Sequence, residues 1–188
     1  MREKVLTYLS QNLPQERVNH ILRVEKTAVE LAAIYDLDRQ AAATAGLMHD
    51  LAKCFKPQIL LDMARQEGLV LDEILSANPH LLHADVGAIV ARDTFGVENQ
   101  QVLEAIASHT LGSSDMSPLS CVVFLADSLE PGRGDTDSLQ ALRQISRENI
   151  DRAVYLTCDY TLKKLLESPR LIHPRLIATR NKFLLKCK

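Results

Sequence analysis

The sequence contains no tryptophan and only four Phe and four Tyr among its 188 residues. Its core must therefore be aliphatic, and the abundant Leu and Ala favour helices over strands. Gly and Pro number seven each and form no low-complexity tract, which excludes a long flexible linker. No apolar run approaches the ~20 residues that cross a bilayer. Met1-Arg2-Glu3-Lys4 is not followed by the apolar stretch of a secretory signal. Cys54, Cys121, Cys158 and Cys187 are far apart and form no C-x-x-C pair. Three of them sit in helical, largely apolar patterns and read as reduced thiols, which together with the missing signal predicts a cytoplasmic protein. A net charge of −2 carries no positive excess that would mark a nucleic-acid partner. Neither a Walker A nor a G-x-G-x-x-G sequence occurs, so no glycine-rich phosphate loop is expected. Asp135 and Asp137 lack the Gly and terminal Glu of a calcium loop.

What is present is helical periodicity, divided by prolines, glycines and capping residues. A short amphipathic helix runs from Met1 to about Leu13. Pro14 suits the first turn of a second, which reaches Ile34. A third starts at Asp36 or Asp38 and carries His49 and Asp50. Pro57 opens a fourth over 58–67, stopped by Gly68. Helical segments follow at 71–76, 81–95, 98–108, 118–129, 136–146, 149–167 and 174–188. No strand-period segment and no fixed repeat appears. The expectation is one all-α domain spanning residues 1–188.

Six polar side chains stand out against this apolar background. On the second helix, His20 shares a stripe with Val24, Thr27, Leu31 and Ile34 at spacings of 4, 3, 4 and 3, so it projects from an apolar face. His49 and Asp50 are flanked by Leu47, Met48 and Leu51, and Lys53 lies one turn beyond His49 on the same face. Ala42, Ala45 and Gly46 let another element or a ligand come close there. His83 shares a side with Gly87, which leaves open space beside it. His109 aligns with Val102, Ala105 and Ile106, and Asp127 interrupts the most apolar run, Leu119–Leu129. A tight loop, Pro131–Gly134, presents Arg133. Each group alone has a plain explanation: a core histidine bonded to backbone, or Asp127 paired with Arg133. His80 reads as a turn residue and His173 as part of a His-Pro helix start. Together, however, His20, His49, Asp50, His83, His109 and Asp127 come from five helices. Converging in a helical bundle, they would hold one or two divalent metals through nitrogen and oxygen. A mixed His/Asp set without thiolate fits Fe, Mn or Mg hydrolytic chemistry rather than structural zinc.

His20, His49-Asp50 and Asp127 resemble the H…HD…D signature of the HD-domain metal-dependent phosphohydrolases. The stretches at 47–53, 78–88, 105–112, 124–133 and 171–181 are similar to those of one branch, the YqeK family, in order and over nearly the whole chain. The resemblance implies an HD-domain helical bundle with a metal site in its core. It implies bound iron and symmetrical hydrolysis of diadenosine tetraphosphate to two ADP or GDP-like products; the alternatives are a phosphatase or phosphodiesterase acting on another nucleotide and a non-catalytic nucleotide-binding regulator. Carried over by position, His20, His49, Asp50 and Asp127 hold the metal. Lys53, His83, His109, Thr110 and Arg133 face the phosphates, and Asp50 and Asp127 border the nucleotide. Asp50, Lys53, His83 and His109 form the catalytic group. His83 and His109 would bind a second metal or act as protonated phosphate clamps and a general acid. One ion is favoured, because a second would be poorly neutralised by the single further carboxylate. From Arg170 to Lys188 the chain has six basic residues and no acidic one. Arg175, Thr179, Lys182 and Lys186 share a helix side that is either solvated or brings Arg175 and Thr179 to the nucleotide from the rim. No membrane partner is expected, and a homodimer is left open.

Overall fold

The computed structural model describes residues 1–188. They form eleven α-helices joined by short turns, without a strand. The helices are α1 (Arg2–Asn12), α2 (Gln15–Ile34), α3 (Arg39–Met48), α4 (Pro57–Gln66), α5 (Glu73–Ala77), α6 (His83–Phe95), α7 (Gln100–Ser108), α8 (Pro118–Leu129), α9 (Asp137–Glu148), α10 (Ile150–Leu166) and α11 (Pro174–Lys186). Single turns of 3-10 helix cover Pro79–Leu82 and Pro131–Arg133.

The boundaries follow capping chemistry. Asp38 accepts from the amides of Gln40 and Ala41 and so starts α3. Asp36 instead takes a left-handed φ of 53° in the preceding turn. Asn99, Ser117, Thr136 and Asn149 cap α7, α8, α9 and α10 in the same way. Pro14 precedes α2 rather than entering its first turn. α3 stops at Met48, so His49 and Asp50 stand in the turn after it and not on the helix. α6 begins at His83, because the 3-10 turn takes up Leu81 and Leu82. α9 runs on to Glu148, beyond the expected end at 146.

α8 is apolar around nearly its whole circumference and is buried accordingly. α2, α3, α7 and α10 pack around it, and α6 packs on α7. α9 and α11 close the outer side through α10. Phe124, Leu125, Ile21, Met48, Leu51 and Ile106 are the large side chains at the centre. α2 and α3 approach closely at Gly46, where a Cβ would stand 2.9 Å from the Glu25 Cα. Gly87 plays a related part: a Cβ there would meet the His49 carbonyl oxygen at 3.3 Å and Ile106 at 3.5 Å. The open space expected beside His83 is thus filled by the turn that carries His49. Cys121 and Cys158 are buried and Cys54 and Cys187 exposed, all unpaired; only two thiols belong to the core. No helix is long and apolar enough to cross a membrane.

Candidate metal centre and active site

Four imidazoles stand in a row between α2, α3, α6 and α7. The ring centroids of His20 and His49 are 5.4 Å apart, those of His49 and His109 4.9 Å, and those of His109 and His83 5.0 Å. All four rings are buried. Each presents Nδ1 to an oxygen that can only accept. His49 Nδ1 lies 2.7 Å from the Gly46 carbonyl, His83 Nδ1 2.6 Å from that of His80, and His109 Nδ1 2.7 Å from that of Ile106. His20 Nδ1 donates to the Glu130 carboxylate at 2.9 Å. With the hydrogen on Nδ1, every Nε2 carries its lone pair into the shared interior, the tautomer that outer partners impose on metal-binding histidines.

Two carboxylates face these lone pairs. Asp127 Oδ1 is 3.1 Å from His20 Nε2 and 3.8 Å from His49 Nε2. Asp50 Oδ2 is 3.5 Å from His49 Nε2, while its Oδ1 lies 3.3 Å from His83 Nε2 and 3.9 Å from His109 Nε2. Donor atoms of His20, His49 and Asp50 fall within 4.8 Å of one another, and so do those of Asp50, His83 and His109. His20 Nε2 and His49 Nε2 are buried without a hydrogen-bond partner. A buried lone pair facing a carboxylate oxygen is costly unless a cation lies between them. The donor set therefore fits a divalent metal, with imidazole nitrogen and carboxylate oxygen and no cysteine near.

The second half of the row differs. His83 Nε2 and His109 Nε2 face each other at 3.0 Å, and Lys53 Nζ and Thr110 Oγ1 reach His83 Nε2 at 3.1 and 3.2 Å. Burial, with His49 and His83 beside it, pushes His109 down to about 3, so this imidazole is neutral and accepts rather than clamping phosphate as a cation. For His49, burial opposes the charge, but Asp50 and Asp127 outweigh it and raise the pKa. The same histidine and its neighbours hold Asp50 well below the usual carboxylate range against its own burial. Asp127 is likewise held low, by His20, His49, His109 and Arg133 against the cost of burial. Burial lowers Lys53, and Asp50 and Asp127 only partly offset it. Arg133 closes the Asp127 side, donating Nε to the Asp127 carbonyl at 2.7 Å and Nη2 to its carboxylate.

Three further groups belong to this centre and were not singled out in the sequence. Glu130 is buried and accepts from His20, from Arg23 Nε at 2.5 Å and from the Gly132 amide at 2.5 Å. These bonds hold its carboxyl low against burial. Arg17 Nη1 donates to Asp50 Oδ2 at 3.2 Å. The signal was present: Arg17 and Arg23 flank His20 at spacings of three, and Glu130 follows Asp127 by one helical turn.

The basic C-terminal face divides: Lys182 and Lys186 are exposed, as a solvated face requires, whereas Arg175 is half-buried and Thr179 is buried. Thr179 is buried with Leu176 and Phe183, and its hydroxyl lies between the carbonyls of Arg175, at 2.8 Å, and Leu111, at 3.1 Å. Arg175 binds the carbonyls of Gly112 and Ala107, each at 2.8 Å, and pairs with Asp85 at 3.2 Å. Both side chains brace the segment behind His109 and Thr110. Helix periodicity could not show this, because α11 is held on one side by α10 and on another by the 107–112 turn. His173 caps α11 and His80 lies in the 3-10 turn, and neither joins the row.

The sequence and the fold have known counterparts. The HD-domain family model matches residues 17–132, a span that holds every member of the histidine row and both carboxylates. A protein of Halalkalibacterium halodurans is 34% identical over 100% of this chain and 99% of its own, and one of Bacillus subtilis is 30% identical over 96% of each. Both are named symmetrical bis(5'-nucleosyl)-tetraphosphatase. A crystal structure from Clostridium acetobutylicum, described as a predicted HD superfamily hydrolase involved in NAD metabolism, matches with a TM-score of 0.94 and 33% identity. That match covers 99% of this chain and 98% of the other. With the signature histidines and aspartates assembled in one buried centre, the chain belongs to the HD-domain family, in the branch of the symmetrical bis(5'-nucleosyl)-tetraphosphatases.

Proposed function

We propose that this protein hydrolyses diadenosine tetraphosphate at its central anhydride, giving two ADP, and that iron is its resident metal. The observation that carries the reading is the set of buried Nε2 lone pairs of His20 and His49 aimed at Asp50 and Asp127. Its support for this substrate is the family relationship, which extends over the whole chain. His20, His49, Asp50 and Asp127 hold one ion. When bound, the metal supplies Lewis acidity toward a phosphoryl oxygen and brings the pKa of water toward neutrality.

The remaining groups act on the phosphates. Asp50, which accepts from Arg17, orients the attacking water. Lys53 and Arg133 neutralise charge on the transferred group, Arg133 through its planar fork. Thr110 donates its hydroxyl to a phosphate oxygen. His83 Nε2, a lone pair in reach of the Lys53 ammonium and the Thr110 hydroxyl, takes up a proton there and relays it to the departing phosphate. His109 stays neutral and accepts from His83 only once His83 Nε2 has taken up that proton. Residues 1–188 work as one domain, because α10 packs on α8 and Arg175 ties α11 to the segment behind the row. The free thiols favour a reducing, cytoplasmic setting.

Product analysis tests the reading. Protein purified without chelator is assayed for metal and given diadenosine tetraphosphate. ADP as sole product is expected. ATP with AMP would keep a metallohydrolase but reject central cleavage, and no turnover with iron or manganese restored would reject the activity.

A further inference from the structure

The roles above leave one large feature unused: a cleft of about 540 Å³ at the His20 end of the row, a volume typical of small-molecule sites. Arg17, His20 and Arg23 of α2 form one wall, and Glu130, Gly132 and Arg133 the other. Apart from Pro14, no lining residue offers an apolar face. The three arginines are each tied to a different acid of the centre: Arg17 to Asp50, Arg23 to Glu130 and Arg133 to Asp127. Their side chains are nevertheless 34%, 39% and 38% exposed. Arg17 Nε and Nη2, Arg23 Nη1 and Arg133 Nη1 donate to no protein acceptor. A guanidinium has five N–H donors, so each is anchored through one edge with another edge turned to the cleft. Glu16 is the only acid lining the cleft besides Glu130, and Glu130 already accepts from His20, Arg23 and Gly132.

A substrate cut at its centre presents two equal nucleoside-diphosphate halves to the metal. Lys53 and Thr110 serve the His83 end, and at the other only Arg133 has a role so far. We propose that the arginine cleft is the second half-site, holding the nucleoside diphosphate that lies beyond the metal from Lys53 and Thr110. Arg17 and Arg23 are its phosphate-binding and specificity-determining residues. Prepositioned forks suit phosphate oxygens bidentately. A polar cleft reads charge and not the base. Cation sets at both ends of the row would centre the phosphate chain on the metal, which accounts for cleavage at the middle. The proposal rests on the function assigned above.

The test uses the full-length, metal-loaded protein and two readouts, ADP binding stoichiometry by calorimetry and steady-state kinetics on diadenosine tetraphosphate. The parent is expected to bind two ADP per chain. Arg17→Gln with Arg23→Gln should bind one and raise KM at least tenfold, with KM carrying most of the loss in kcat/KM. Metal content and thermal melting are recorded for each variant. If the glutamine pair loses metal or fails to fold, the charge-retaining Arg17→Lys with Arg23→Lys decides: a KM between parent and glutamine-like loss, with metal retained, is expected. One ADP per chain in the parent overturns the proposal, as does a double variant that still binds two or loses only kcat. A parent that binds two ADP without turnover would sink the assigned function and leave the cleft standing.

Discussion

The two ends of the histidine row are built on opposite plans. At the His20 end the ring is oriented by a side chain, Glu130, and surrounded by half-exposed arginines. At the His83 end the rings are oriented by backbone carbonyls, and Lys53 and Thr110 join the shared Asp50 there. Backbone partners cannot be lost by substitution, whereas Glu130 can. The electrostatics differ as well. His49 sits between two carboxylates and is raised, while His109 is buried against other imidazoles and is lowered to about 3. One residue type thus serves as two kinds of base, set by its neighbours.

Asp50 joins the two ends, and removing it should have the largest effect. Asp50→Asn is expected to cut turnover on the order of a thousandfold and to lower metal content measured in the purified protein. Retained turnover would mean that the two ends act independently. Glu130→Gln keeps the shape but removes the charge that fixes His20. Metal affinity should fall roughly 10- to 100-fold, with the His20 ring nitrogen shifts reporting the changed tautomer. An unchanged affinity would put His20 under backbone control like the other three.

Gly46→Ala addresses what holds the ends at one distance. Its Cβ would press on the Glu25 backbone and part α2 from α3, at a cost of about 1–3 kcal/mol in denaturant unfolding. A neutral result would show that the helices shift without strain. The acid sensitivity of the metal-free protein separates the two pKa directions. His109, lowered in the fold, binds its proton more readily when unfolded, so stability should fall as pH drops below about 6.5. His49, raised in the fold, is fully stabilising below that pH, and Asp50 and Asp127, held low, lose their contribution only in stronger acid. The slope of Tm between pH 6.5 and 5 should therefore flatten in His109→Asn. An equal slope would assign it elsewhere. The smallest effect is expected at Thr179→Val, which removes the bond to Leu111 at a cost of about 1 kcal/mol and leaves KM for the dinucleotide unchanged. A raised KM would return Thr179 to the nucleotide rim.

Much of the centre was legible in one dimension because its histidines and aspartates stand out on apolar stripes. A buried polar group needs a partner, so His20, His49, Asp50, His83, His109 and Asp127 announced a shared site before their distances were known. The helical class followed as directly, from aliphatic composition and from capping residues such as Asn99 and Thr136 that mark helix starts locally. Glu130, Arg17 and Arg23 were not singled out, since charged residues at those spacings ordinarily face water. Only the close approach of α2 to the turn after α8 turns them inward. The surroundings of Thr179 and Arg175 stay open in the sequence for the same reason, because α11 touches the 107–112 segment across more than sixty positions of sequence. Residue chemistry and helical period are local properties, carried by the chain itself. Which protonation each histidine adopts, which acid each arginine holds and where a cleft remains open depend on contacts between distant segments, and those exist only after the helices have packed.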